Sequence, residues 1–213
     1  MPREHFQHVD TWVFDLDNTL YHPGARLFDQ VTARISDIVM RVTGTDKAAS
    51  DLLRREYWQT YGTTLAGLMA HHALDPEPYL AEVHDIDFSV LEPDPALRSA
   101  ITRLRGRRII YTNGSAPYAQ KVLAARGLEG LFDAIYGVEH AGYHPKPQPQ
   151  AFAAVFGLDG LDPARSAMFE DDPRNLKVPH ELGMRTVLVT PEAAAHPHIH
   201  YHTDDLTGFL GRL

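Results

Sequence analysis

The sequence predicts an α/β fold in which helices cover both faces of a parallel sheet and an all-helical segment is inserted after the first strand. Three observations carry this. From Pro95 onward, short apolar runs alternate with segments of helical spacing, the rhythm of β-α units and hence of a parallel sheet. Between Leu20 and Ser89 the apolar positions recur at helical spacing and none reads as a strand. The first apolar run, Trp12-Val13-Phe14, ends abruptly in Asp15-Leu16-Asp17, two carboxylates one residue apart. The chain therefore divides into an α/β core, residues 1–20 and 90–213, and a helical insert, residues 21–89.

Each element has its own signal. Trp12-Val13-Phe14 is aromatic and β-branched, as a buried strand requires, and Asn18 favours a turn beyond it. Phe28, Val31, Ile35, Ile38, Val39 and Val42 mark the first insert helix, with Gly44 placed to cap its C-terminus. Thr45-Asp46 caps a second helix carrying Leu52, Leu53 and Tyr57. A third runs from Leu65 to Ala70 and a fourth starts at Pro76. The prolines and acids of Leu91-Glu92-Pro93-Asp94-Pro95 mark the return to the core.

There the expected order is helix Ala96–Leu104, strand Arg108–Tyr111, helix Pro117–Arg126 and strand Ala134–Val138. Helix Gln148–Phe156, strand Ser166–Phe169, helix Leu176–Leu182 and strand Thr186–Val189 follow. Thr203 or Asp204 is placed to cap a last helix ending at Leu210.

Composition excludes several classes. The 213 residues suffice for one moderate domain, or a core with an insert, with a real hydrophobic interior. A formal charge of −8 argues against nonspecific binding of nucleic acid or an anionic membrane. The absence of cysteine excludes disulfides and thiolate metal sites. No apolar signal region opens the chain and no stretch is long enough to span a bilayer, so a soluble, cytoplasmic protein is expected.

Four chemically apt groups follow four strands: Asp15/Asp17, Thr112, Lys146 and Glu170-Asp171-Asp172. In a parallel sheet all strand C-termini lie on one edge, so these groups converge. Asp15 and Asp171, from different strands, offer hard oxygen ligands suited to Mg²⁺. A cation, a lysine and a hydroxyl beside backbone N–H groups together stabilise a phosphoryl group. Asp15 is then placed to attack phosphorus and Asp17 to protonate the leaving alcohol. The demand is large: accelerations of phosphate-monoester hydrolysis reach ~10²¹, of which a general acid supplies only about 10²–10⁴.

Asp15-Leu16-Asp17-Asn18-Thr19, Thr112-Asn113-Gly114, Lys146-Pro147 and Glu170-Asp171-Asp172 resemble the four ordered motifs of the haloacid dehalogenase (HAD) superfamily. The resemblance implies a Rossmann-like core and a mobile helical cap at the position of the insert. It implies Asp15 as nucleophile and metal ligand, and Asp17 as general acid/base that also binds metal through its backbone carbonyl. It implies Thr112, with Asn113 and Gly114, as the phosphoryl cradle and Lys146 as the neutralising cation. Asp171 becomes the second Mg²⁺ carboxylate, supported by Glu170 or Asp172, while Asn175 stands where many relatives carry another acid.

Within that superfamily Asp17 points to phosphatases and phosphomutases, since halide leaves without a proton. The segments Asp15 to Tyr21 and Glu170 to Leu176 look most like the pyrimidine 5′-nucleotidase branch. The expected substrate is a small phosphorylated metabolite, with UMP or CMP leading. A sugar phosphate, phosphoglycolate or a phosphomutase reaction comes next, and a non-catalytic scaffold last.

Other features have plainer readings. The run His196 to His202 offers alternate histidines to Zn²⁺ but is read as an exposed loop before the last helix. His71, His72 and His140 are read as surface residues, and His144 as the histidine closest to the Lys146 loop. Tyr57, Trp58 and Tyr61 are read as packing within the insert, with Trp58 or Tyr61 the candidates to border a base. Tyr21, Arg26 and Phe28 stand near the hinge within reach of the pocket.

Overall fold

In the computed structural model, which describes residues 2–192 and 195–213, the strands form one parallel sheet. A short helix α1 (Pro2–His5) precedes β1 (Thr11–Phe14). Four helices follow before any second strand: α2 (Leu27–Thr43), α3 (Lys47–Tyr61), α4 (Thr64–His72) and α5 (Pro76–Val83). Then α6 (Pro95–Thr102), β2 (Arg107–Tyr111), α7 (Ala116–Ala125), β3 (Ala134–Tyr136) and α8 (Pro149–Asp159) alternate. The chain closes with β4 (Ser166–Glu170), α9 (Lys177–Glu181), β5 (Arg185–Val189), β6 (Tyr201–Thr203) and α10 (Leu206–Leu210).

The strand order is β3-β2-β1-β4-β5-β6 among the described residues. This puts β1 in the middle, flanked by β2 and β4, with all four of its residues buried. Its side chains alternate between the two faces, as the pleat demands. Trp12 and Phe14 join the apolar layer packed with Ala100, Ile101, Val122 and Phe209, from α6, α7 and α10. Val13 joins Phe152, Val155 and Phe156 of α8 on the opposite face. Phe14 stacks on Phe169 of β4 with centroids 4.7 Å apart and planes 9° from parallel.

The insert helices have a core of their own, built from Ile38, Val39, Tyr57, Leu65, Leu68, Tyr79, Leu80 and Val83. Their ends are defined by capping. Asp46 accepts from Ala49 N–H, Thr63 from Ala66 N–H and Asp75 from Glu77 N–H, satisfying donors that each helix start leaves orphaned. Gly44 ends α2 at φ 69°, where glycine carries no Cβ penalty.

Three expectations need correction. The histidine-rich run is not wholly a loop, because Tyr201–Thr203 pairs with Val187–Val189 as a sixth parallel strand. The cap of α10 is Asp205, which accepts from Gly208 N–H, rather than Thr203 or Asp204; Thr203 Oγ1 instead accepts from Asp205 N–H. Strand β3 stops at Tyr136, and Val138–Ala141 turns into a 3₁₀ helix. Among the described residues no helix is long and apolar enough to cross a membrane.

Candidate active site

The site grows from the C-terminal ends of β1, β2 and β4. Asp15 N–H donates to Phe169 O at 2.9 Å, extending the ladder one residue beyond β1 before the chain leaves the sheet. Asn18 takes φ 57°, the left-handed conformation asparagine tolerates, and Leu16 O accepts from Leu20 N–H to close the turn. The turn leaves Asp15 buried and Asp17 partly exposed at one cavity. Thr19 Oγ1 donates to Asp15 Oδ2 at 3.2 Å, and Asn18 Nδ2 donates to Asp171 Oδ2 at 3.3 Å.

Lys146 is 1% exposed, an extreme value for an ammonium. Its Nζ donates to Asp15 Oδ1 at 2.7 Å, Glu170 Oε2 at 2.6 Å and Tyr111 O at 3.0 Å, which uses all three of its protons. Burial alone would lower its pKa, but Asp15 and Glu170 outweigh burial and hold it above the ordinary lysine value. Asn113, two residues beyond β2, anchors the backbone of this lysine: Lys146 N–H donates to Asn113 Oδ1 at 2.8 Å, and Asn113 Nδ2 returns a bond to Lys146 O at 3.1 Å. Thr112 Oγ1 accepts from Gly114 N–H at 2.9 Å and is almost fully buried.

Asp15, Glu170 and Asp171 present ligand oxygens that all lie within 4.8 Å of one another. Burial, then Glu170, pushes the Asp15 carboxyl up to about 8. Burial, then Glu170 and Asp15, pushes Asp171 up to about 10. Three gathered carboxyls with one ammonium among them leave anionic charge that a hard divalent cation would offset, and their oxygen-only donor set suits Mg²⁺. Asp172 also borders this cavity, but its carboxylate caps Arg174 N–H and pairs with the Arg174 guanidinium at 2.7 Å.

Asp15, Asp17, Thr112, Asn113, Gly114, Lys146 and Asp171 thus border one cavity of about 460 Å³, whose other wall comes from the insert, Phe28, Trp58 and Tyr79 among it. Trp58 is half-exposed beneath the Arg174 guanidinium, 3.4 Å from its ring centroid. Arg26 instead pairs with Asp29 at the surface, and the Tyr61 hydroxyl shares a hydrogen bond with Nε2 of His71. His71, His72, His140 and His144 are exposed, and His144 does not border the cavity. His198 and His202 spend ring N–H groups on Pro173 O and Thr190 O. No histidine joins a metal-holding cluster among the described residues.

Sequence reasoning left Glu170 as one of two alternatives for support, whereas its carboxylate is a direct partner of Lys146. It also missed Tyr118, whose hydroxyl donates to Asp17 Oδ1 at 2.6 Å, and His84, stacked on the Tyr118 ring. Neither residue carries a motif. The available signal for Tyr118 was its position at the start of the helix after Thr112.

A family model for haloacid dehalogenase-like hydrolases matches residues 9–183. The chain belongs to this family. It is 25% identical over 194 residues to phosphate metabolism protein 8 of Saccharomyces cerevisiae, a match covering 82% of this chain and 60% of that protein. It is 30% identical over 120 residues to the fructose-1-phosphate phosphatase YqaB of Escherichia coli, covering 54% of this chain and 63% of the other. The matches thus span about three fifths of the length of these curated relatives. Among solved structures, YfnB of Bacillus subtilis, solved bound to magnesium, shares the fold with a TM-score of 0.59 at 17% identity, covering 96% of this chain and 98% of that one.

Proposed function

We propose that this HAD-family hydrolase is a Mg²⁺-dependent phosphomonoesterase acting through an aspartyl-phosphate on Asp15. The observation that carries the reading is the convergence of Asp15, Asp17, Lys146 and Asp171 on one cavity. In the first half-reaction an Asp15 carboxylate oxygen attacks phosphorus, the ester P–O bond breaks, and the leaving alkoxide takes the proton of the Asp17 carboxyl. In the second, Asp17 accepts a proton from water as that oxygen attacks phosphorus. The P–O bond to Asp15 then breaks, releasing inorganic phosphate and restoring both acids.

Lys146 orients the attacking carboxylate through Oδ1 and offsets its charge. Thr112 and the Gly114 turn border the cavity and would hold the phosphoryl oxygens. Asp15 and Asp171, with the Asp17 backbone carbonyl and Glu170 in support, would hold the metal. Bound there, a divalent ion supplies positive charge that lets an anionic nucleophile approach an anionic phosphate. The insert serves as the cap, with Trp58 and Phe28 on the wall facing the organic half of the substrate.

The leading substrate is a pyrimidine nucleoside 5′-monophosphate, UMP or CMP, supported by an aromatic cap wall and a cavity in the size range of small-ligand sites. The fructose-1-phosphate phosphatase relative favours a sugar phosphate as the second reading. Phosphate release from UMP, CMP, fructose 1-phosphate and phosphoglycolate, with and without Mg²⁺, tests both. Release that needs Mg²⁺ and is greatest for UMP or CMP supports the first, and greatest release from fructose 1-phosphate supports the second. No release from any ester in Mg²⁺ overturns the enzymatic reading.

A further inference from the structure

We infer that Tyr21 and Tyr118 are positioning residues for Asp17: their hydroxyls jointly hold one oxygen of its carboxyl and leave the other to carry the proton. This rests on the reading of Asp17 as the general acid and adds the residues that aim it.

Tyr21 Oη and Tyr118 Oη both donate to Asp17 Oδ1, each at 2.6 Å. Charge-assisted O–H···O⁻ bonds of this length are among the strong ones, and two on a single oxygen fix the carboxyl rotamer. Asp17 borders the cavity, so Oδ2 is the oxygen left for the reacting atoms. A neutral carboxyl would keep the same arrangement with its proton on Oδ2, since Oδ1 is already accepting two bonds.

The supports come from three places in the chain. Tyr21 lies on the outgoing crossing from β1 to the insert, 3% exposed. Tyr118 stands on α7, 1% exposed, its ring in the same apolar layer as Phe14 and Leu97. His84 lies on the return crossing, just after α5, and stacks on the Tyr118 ring at 4.0 Å and 9°. Its Nδ1 is 3.1 Å from Ser115 Oγ, which ties the histidine to the start of α7. Gly114 makes room for this assembly, because a Cβ there would stand 2.8 Å from Cδ1 of the Tyr118 ring. Both crossings of the insert therefore meet at the residues that orient Asp17, and His84 acts on it through Tyr118.

Phenylalanine fills the same space without the hydroxyl, so Tyr21→Phe, Tyr118→Phe and the double variant isolate the two bonds. The readout is kcat/KM for an alkyl ester, glycerol phosphate, against p-nitrophenyl phosphate. The latter's phenolate leaves without a proton, and kcat/KM reports the steps up to its departure. The double variant is expected to lose about tenfold or more on the alkyl ester, a part of the 10²–10⁴ that a general acid supplies, and far less on the aryl ester. Asp17→Asn, run in parallel, shows the same split more strongly.

Equal losses on both esters, or no loss, in tyrosine variants that melt as folded proteins reduce these residues to packing and overturn the inference, provided Asp17→Asn shows the split. Absence of the split in Asp17→Asn removes the general-acid reading beneath it. If Tyr118→Phe does not fold, Tyr21→Phe alone is read against the same two outcomes.

Discussion

The ammonium of Lys146 lies 2.7 Å from Oδ1 of Asp15, with both groups sealed from solvent and their residues on different β-α units. The same ammonium holds Glu170 at 2.6 Å. Removing one partner of a buried ion pair is far more costly than replacing the whole pair, because the remaining charge stays desolvated. Lys146→Met leaves two buried carboxyls without their cation. It is expected to lower the stability of the metal-free protein by about 3–5 kcal/mol, read as a drop in urea midpoint, and to remove measurable phosphatase activity.

The acid cluster also makes metal-free stability depend on pH in an unusual direction. Burial, with the neighbouring carboxylates, pushes Asp15 up to about 8 and Asp171 up to about 10 in the fold, against 3.8 for the free side chain. The native state thus keeps protons that the unfolded chain has lost, so this contribution is full below pH 4 and declines as pH rises toward 8 to 10. Melting temperature of the metal-free protein is expected to fall between pH 6 and pH 9. Mg²⁺ is expected to reverse this, because the proposed site would hold it through the ionised carboxylates, and at a hundred times its Kd a ligand of the native state adds about 2.7 kcal/mol. The Mg²⁺-induced rise in melting temperature is expected to be larger at pH 8 than at pH 5.5, and absent in Asp171→Ala.

His84 acts on the acid side. Burial holds its imidazole down to about 4, against 6.5 for the free side chain. A depressed pKa contributes stability that is complete above pH 6.5 and is lost as pH falls toward 4. At full effect the loss is about 3 kcal/mol. Urea titrations from pH 7 to pH 4.5 are expected to show a steeper decline for the natural protein than for His84→Gln.

Gly62 closes α3 against the Lys146 loop. Its φ of 92° suits glycine alone, and a Cβ there would stand 3.0 Å from Lys146 O. The adjacent Tyr61 O accepts from Gln148 Nε2 at 3.0 Å, so the end of α3 and this loop are joined on both sides. Gly62→Ala is expected to cost about 1–3 kcal/mol from the strained backbone and to lower kcat by displacing the lysine loop. Thermal melts and steady-state kinetics of this single variant check both.

Much of the core was legible because periodicity and strand ends are local signals. Trp12-Val13-Phe14 reads as a buried strand from composition alone, and the parallel arrangement then carries Asp15, Lys146 and Asp171 to one edge without further information. The sixth strand was not legible, since Tyr201–Thr203 is three residues long and its pairing with β5 is a tertiary event. Tyr118 looks like an ordinary apolar position in sequence, because most of its side chain does pack in the core, and Tyr21 is legible only as a residue near the hinge within reach of the pocket. Only the placement of two hydroxyls on one Asp17 oxygen distinguishes them. Glu170 was ambiguous for a related reason: three consecutive acids do not reveal which of them the end of β4 turns inward toward Lys146.

A phosphoryl group carried on Asp15 is the step on which the proposed mechanism turns, and single-turnover labelling detects it. Enzyme in excess is mixed with ³²P-labelled UMP and Mg²⁺, quenched in acid within milliseconds, and digested for peptide mapping. Transient label is expected on the peptide containing Asp15, and none in Asp15→Asn. Phosphate released at full rate with no labelled peptide at any quench time, or label retained in Asp15→Asn, contradicts it.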